Sequence, residues 1–314
     1  MNTSICITVF NEEKSIGALL DSLLAQTKKA DEIVIVDGGS TDKTVEIINH
    51  YQKRFGGIKL LKEKCSRSKG RNLGVEVAGN NIIAITDAGC IAHKDWLENI
   101  TEPFSQDRVD ISAGFYHMTG SDPVSKAMSV FLGVTPRHFD INFLPSTRSM
   151  AFRKSAWEEV GGFPESRENS AEDTDFNYKV VKLGLKYARV KSAIVEWGMP
   201  DTISDFCRKI YSYAKWDICY GIWWNPAQGL ASHNIKALFV IVRYLMAVAF
   251  LICCFSHPPL FAYWLICLFA YLIFSFRKIF VEFGDWHSAL WGPFLQITCD
   301  LAVMRGFISG IISG

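Results

Sequence analysis

The 314-residue chain has almost no charge of its own to spend on a polyanion: 33 Lys and Arg stand against 32 Asp and Glu, a net +1. A nucleic-acid binder ordinarily carries a basic surplus, so no nucleic-acid partner is expected. The sequence also lacks a Walker phosphate loop, a Gly-x-Gly-x-x-Gly fingerprint and an HExxH zinc helix. Nine cysteines show neither metal-ligand nor disulfide spacing, and Cys253-Cys254 lies inside an apolar run. They read as reduced, buried thiols of a cytoplasm-facing protein. His93, His117, His138 and His233 have no ligand-like arrangement along the chain and read as loop or core histidines. The first residues run straight into an apolar strand, so no cleavable leader is expected before them.

What the chain does have is a repeated design at its start. Ile33-Val34-Ile35-Val36 is a short, fully buried strand, and Asp37-Gly38-Gly39-Ser40-Thr41-Asp42 is the turn at its carboxyl end. Ile5 to Phe10 running into Asn11-Glu12, and Ile82 to Thr86 running into Asp87-Ala88-Gly89, repeat it. Between them lie amphipathic stretches, Ser15 to Ala25, Thr41 to Tyr51 and Gly70 to Ala78, with a further short strand at Leu60-Leu61. Alternation of this kind implies a mostly parallel sheet with helices on both faces. Ligands bind such sheets at the carboxyl ends of the strands. Three strands delivering carboxylates and glycines to one edge make a nucleotide pocket.

These residues carry a resemblance. Thr8-Val9-Phe10-Asn11-Glu12, Val36 to Asp42, Gly70-Arg71-Asn72-Leu73-Gly74, Thr86-Asp87-Ala88-Gly89 and Ala171-Glu172-Asp173-Thr174-Asp175-Phe176 resemble, in order and spacing, the motifs of family 2 glycosyltransferases, over roughly residues 3 to 220. The resemblance implies a GT-A-like (Rossmann-like) α/β domain, expected over residues 1–225, and an inverting transfer from a nucleotide sugar. UDP donors are favoured and GDP donors stay open. It implies that Phe10 stacks on the base, that Thr8 and Asp37 bond the base edge or ribose, and that Asn11, Glu12 and Gly39 complete that wall. Arg67 and Arg71, in a basic loop leading into a helix, suit the diphosphate. Asp173 becomes the general base, oriented by Glu172, while Asp175 supports the helix start.

Three departures qualify the match, the first being Gly38, which follows Asp37 where the family often has a second acid and leaves open which base is read. Where the family usually has Asp-x-Asp, this chain has Asp87-Ala88-Gly89, so the usual metal-holding acid is missing. A divalent cation, Mg²⁺ or Mn²⁺, is expected on Asp87 and substrate oxygens, with charge compensation by the arginines alone as the alternative. Tyr213-Ala214-Lys215-Trp216 resembles a degenerate Gln-x-x-Arg-Trp motif of processive synthases. Trp216 is a candidate for stacking on an acceptor sugar, and single addition is expected. Two rivals remain: a sugar-nucleotide nucleotidyltransferase, and a noncatalytic scaffold with a vestigial pocket.

After Asp201 the composition changes. Phe206 to Trp224 is rich in Tyr, Trp, Lys and Arg, which suits a helix at a membrane surface. Ala237 to Phe255 and Leu260 to Phe276 are apolar runs near membrane-spanning length, joined only by Ser256-His257-Pro258-Pro259. Residues 226–314 therefore read as a membrane region, multi-pass and in contact with lipid. Lys236 precedes the hairpin and Arg277-Lys278 follow it, while the turn has no Lys or Arg, which puts the large domain on the cytoplasmic side. Arg243 within the first run is expected to snorkel or to meet a phosphate headgroup. Leu290 to Ile312, with Asp300, Arg305 and the pair Gly306 and Gly310, fits a third span, a re-entrant helix or an interfacial one, of which a membrane-embedded helix packed against the hairpin is preferred. A glycan or lipid-linked acceptor follows from that position.

Overall fold

The computed structural model describes residues 1–106, 108–165, 171–227 and 229–313. They divide into two compact units: Met1–His117, Pro136–Gly198 and Pro226–Gln228 form one, and Met118–Thr135, Met199–Asn225 and Gly229–Gly314 the other.

The first unit is built on an eight-stranded sheet. Its elements run β1 (Thr3–Val9), α1 (Ile16–Leu24), β2 (Glu32–Asp37), α2 (Thr44–Arg54), β3 (Ile58–Lys62), α3 (Arg67–Val77), β4 (Ile82–Ile85), β5 (Cys90–Ala92), α4 (Trp96–Thr101) and β6 (Ile111–Thr119). After α5 (Pro123–Leu132), which belongs to the second unit, come β7 (Met150–Arg153), α6 (Lys154–Val160), α7 (Glu172–Lys182) and β8 (Tyr187–Gly198). The strand order is β3-β2-β1-β4-β7-β6-β8-β5. The βαβ half is parallel, as its alternation requires. The other half is antiparallel: β4 with β7, β7 with β6 and β8 with β5. The sheet is thus mixed, a refinement of the mostly parallel expectation: strands β5 to β8 extend the parallel half with antiparallel pairings.

Every residue of β2 is buried, as expected for a strand covered on both faces. Val9 pairs with Asp37, so the exits of β1 and β2 share one edge. Helix α3 begins at Arg67 rather than Gly70, because the Ser66 hydroxyl caps it by accepting from the Lys69 N–H at 3.3 Å. Arg67 and Arg71 therefore lie one turn apart on a helix face, not in a loop. Gly70 lets that helix close on β1: a Cβ there would stand 2.6 Å from the Thr8 methyl.

The second unit holds α5, α8 (Ile203–Cys219), a short hairpin β9 (Trp224–Asn225) and β10 (Leu230–Ala231), then α9 (His233–Ser256), α10 (Leu260–Phe283), α11 (Trp286–Leu290) and α12 (Gly292–Ser313). Helices α9, α10 and α12 are each long and apolar enough to cross a membrane. Large apolar side chains such as Phe239, Leu245, Phe255, Ile266 and Phe269 stand exposed on them. The ambiguous last segment is one continuous helix. It packs on α8 through Gly306 and Gly310, where a Cβ would run into the Tyr211 and Lys215 carbonyls. Arg243 neither snorkels nor waits for a headgroup in this structure. Its Nη2 donates to Asp300 Oδ2 at 2.5 Å, and that carboxylate also accepts from Tyr244 at 3.1 Å, Gln296 at 2.9 Å and Tyr271.

Candidate active site

The site in the first unit assembles from strand exits and two helix starts. At the exit of β1, Thr8 is half-buried, and just beyond the strand Phe10 is 59% exposed, an aromatic face turned out at a sheet edge. Asn11 takes the left-handed conformation at φ 55°, which Asn tolerates better than most residues. It joins two loops, its N–H donating to Ser40 Oγ at 2.9 Å and its Oδ1 accepting from the Thr41 N–H at 2.8 Å. The Glu12 N–H donates to Thr44 Oγ1 at 2.7 Å, fixing the same loop to the start of α2. Asp37 is buried and shapes its own turn, accepting from the N–H groups of Gly39 and Ser40, both at 3.2 Å. Gly39 adopts φ +100°, which the turn requires and which other residues rarely adopt. A carboxylate offers about four acceptor positions, so Asp37 keeps capacity for a ligand hydroxyl.

Arg71 is the centre of the arrangement. It is 3% exposed, and its Nη1 donates to Glu172 while Nη2 donates to Asp87 Oδ1 and Thr147 Oγ1, both at 2.8 Å. One guanidinium thus draws together the turn after β4, the start of α7 and the loop before β7. Arg67 lies 3.9 Å from Glu172 and keeps about half of its side chain exposed. Ala88 is buried and Gly89 exposed, and a Cβ on Gly89 would meet nothing within 4 Å. The missing second acid is therefore not excluded by crowding.

Three acids in this cluster are driven apart in strength. Burial pushes Glu172 and Asp87 up, but the Arg71 charge and hydrogen bonds, joined by the Arg67 charge, outweigh it and hold both below the usual carboxylate range. Asp173 goes the other way: burial and the neighbouring Glu172 charge lift it to about 6 against the pull of Arg71 and Arg148. Divergence of this kind separates a base from its charged supports. Asp173 Oδ1 also accepts from the Thr174 N–H at 2.8 Å. Asp175 is paired with Lys179 one turn on, at 2.9 Å. Ala171, just before the helix, is held at φ 68°, a backbone state costly for a residue with a Cβ.

Sequence reasoning missed Arg148 and its setting. The guanidinium lies 3.7 Å from the Trp197 ring centre and 5.0 Å from that of Tyr116. Its charge acts on both Asp87 and Asp173. No local motif marks it, since its neighbours come from β6 and β8. Trp216 lies in the second unit, on α8, with Lys215 Nζ 5.3 Å from its ring. A second correction concerns the histidines. His93 and His117 converge on Glu196, the three ligand atoms lying within 4.8 Å of one another. They come from segments too far apart in sequence for spacing to reveal it.

Comparison with known proteins points to one family. The model described as "Glycosyl transferase family 2" matches residues 4–158, and "Glycosyl transferase family group 2" matches residues 83–277. The glycosyltransferase AglE of Haloferax volcanii is 26% identical over 241 residues, 68% of this chain and 79% of that protein. A Methanococcus voltae enzyme named as a dolichyl N-acetyl-alpha-D-glucosaminyl phosphate 3-beta-D-2,3-diacetamido-2,3-dideoxy-beta-D-glucuronosyltransferase is 36% identical over 108 residues, 33% of this chain and 34% of its own length. Among solved structures, the mannosyltransferase PcManGT of Pyrobaculum calidifontis, in complex with GDP-Man and Mn²⁺, superposes with a TM-score of 0.61 at 17% identity, covering 96% of this chain and 87% of that one. With the second family model spanning more than half of the sequence, the chain belongs to the family 2 glycosyltransferases.

Proposed function

We propose that the chain is an inverting glycosyltransferase that moves a sugar from a nucleotide diphosphate, UDP favoured, to a hydroxyl of a glycan or lipid-linked acceptor at the cytoplasmic face of a membrane. The observation that carries this reading is the cluster organised by Arg71, which holds Asp87 and Glu172 ionised beside a Asp173 lifted to about 6. In the reaction, the acceptor oxygen attacks the anomeric carbon from the face opposite the diphosphate. Its proton passes to the Asp173 carboxylate, the new carbon–oxygen bond forms, and the bond to the diphosphate oxygen breaks. A base near 6 is ionised at neutral pH yet still binds a proton well. Glu172, locked to Arg71, keeps the start of α7 in place. Phe10 is the stacking platform for the base, with Thr8, Asn11, Glu12, Asp37 and Gly39 as the wall around base and ribose. Arg67, with its exposed guanidinium, faces the diphosphate, and Arg71 supports it from behind. Trp216 is the proposed acceptor-sugar platform.

A divalent cation fits this site. Asp87 would hold it, and the open space beside Gly89 would leave room for waters and substrate oxygens, since Mg²⁺ is often bound through one or two carboxylates. Such an ion supplies charge neutralisation on the departing diphosphate. We place the catalytic region at residues 1–225 and the membrane region at 226–314, with α9 and α10 crossing as a hairpin. Lys236, Arg277 and Lys278 at the hairpin ends, and none in its turn, support the cytoplasmic orientation. The acceptor class is supported by this position and by the lipid-linked substrate in the name of the Methanococcus voltae relative.

The test is product analysis with purified full-length chain and a panel of UDP- and GDP-sugars, with and without Mn²⁺. Release of nucleoside diphosphate that requires acceptor, and its loss in Asp173→Asn with donor-induced thermal shifts retained, is the expected result. Full activity of that variant removes the base assignment. Pyrophosphate release from a nucleoside triphosphate would instead make the protein a nucleotidyltransferase, and failure to bind any donor would make it a scaffold.

A further inference from the structure

The sheet carries a cluster of two histidines and a glutamate, His93, His117 and Glu196. Along β6, Tyr116 lies on the side of Trp197 and Arg148, the side whose charge reaches Asp87 and Asp173. Successive residues of a strand point to opposite faces. His117 and Glu196 therefore point to the other side of their strands from Tyr116 and Trp197, the side that also carries the exposed Ile91, register partner of Glu196. His93 follows β5 directly, held by its backbone N–H donating to the Ile194 carbonyl at 3.0 Å. There, His93 Nε2 lies 2.6 Å and His117 Nδ1 3.6 Å from the same oxygen, Glu196 Oε1.

We propose that His93, His117 and Glu196 form a three-ligand site for a divalent transition metal of the Zn²⁺ type, on the side of β6 and β8 opposite Tyr116 and Trp197. The donor set is two imidazole nitrogens and one carboxylate, which suits Zn²⁺ and its borderline neighbours and is poor for Mg²⁺ or Ca²⁺. Metal–ligand bonds of about 2.0–2.2 Å in a tetrahedral site put ligand atoms about 3.3–3.5 Å apart. The His117–Glu196 separation already matches; His93 and Glu196 need to part by less than about 1 Å, within the reach of side-chain rotation. All three residues are half-buried, so the ion can enter from solvent and keep a water in the fourth position. The ligands come from β8, from β6 and from the end of β5, so the ion joins three segments. β5 is only three residues long and follows the Asp87 turn with two residues between. A metal here clamps the strand that carries that turn, without touching donor or acceptor. The site is independent of the proposed reaction and stands or falls separately.

The experiment uses full-length protein carrying no polyhistidine tag, stripped with chelator and titrated with Zn²⁺ by calorimetry and with Co²⁺ by visible absorption. One equivalent of Zn²⁺ per chain, a tetrahedral Co²⁺ spectrum and a raised thermal midpoint are expected. His93→Ala and His117→Ala should each weaken Zn²⁺ binding at least tenfold, about 1.4 kcal/mol. Glu196→Gln, nearly isosteric, gives the same loss without a cavity and covers the case in which a histidine variant folds poorly. Asp87→Asn should leave Zn²⁺ affinity unchanged. Absence of stoichiometric Zn²⁺, or binding that survives His117→Ala and Glu196→Gln, overturns the site and leaves a plain His–Glu hydrogen bond. Loss of Zn²⁺ in Asp87→Asn also overturns it, by moving the ion to the catalytic crevice.

Discussion

Asp173 owes its proposed role to its neighbours. With its ordinary value at 3.8 and its folded value at about 6, the folded chain binds that proton more tightly than the unfolded chain does. For catalysis the ionised form is needed, so kcat/KM should rise with pH through about 6 and then level, which a pH–rate profile checks. For stability the sign is opposite: the raised carboxyl costs nothing below its unfolded value, destabilises progressively as pH rises from about 4 to 6, and exacts its full penalty above. Asp173→Asn should therefore be inactive yet melt higher than the native chain, with a larger gap at pH 8 than at pH 5. Gly89 supports a prediction in the gaining direction. Gly89→Asp places a second carboxylate in open space and should tighten Mn²⁺ binding about tenfold, about 1.4 kcal/mol, by calorimetry in the presence of nucleoside diphosphate. At this scale the sequence was informative wherever the chemistry sits at a strand or helix end. Asp87, Glu172 and Asp173 announced themselves by the apolar runs that flank them. Arg148, Trp197 and Glu196 did not, because their partners arrive from strands remote in sequence.

Among the elements, α3 shows how a boundary hides. Ser66-Arg67-Ser68-Lys69 has no apolar periodicity, so the helix looked as though it began at Gly70; the only local sign was the capping serine. The parallel half of the sheet was legible from β-branched runs alternating with amphipathic helices. The antiparallel half was not, since short strands such as β5 and β7 carry too few residues to encode their pairing. In the second unit, α8 and α12 meet through Gly306 and Gly310, whereas the small-residue spacing suggests packing against the α9–α10 hairpin. Gly306→Leu should push α12 off α8, lowering stability by about 1–3 kcal/mol in detergent melts, whereas the same change at the exposed Ile308 should be nearly silent.

For the whole molecule, the proposal joins a sugar-transferring unit to three apolar helices. Orientation is testable in sealed cells with cysteine-free protein carrying one reporter. His257→Cys, in the hairpin turn, should react with a membrane-impermeant maleimide from outside. Lys64→Cys, on an exposed loop of the first unit, should react only after lysis. The reverse pattern would invert the assignment.

The bond between Arg243 and Asp300 has a consequence for biogenesis. The two residues are 57 positions apart, so the ribosome delivers the guanidinium well before the carboxylate that neutralises it. On the proposed membrane topology, α9 carries a cation without its carboxylate partner until α12 emerges. On that topology, chains truncated before residue 300 should be degraded faster than the full chain, which a pulse–chase measurement checks.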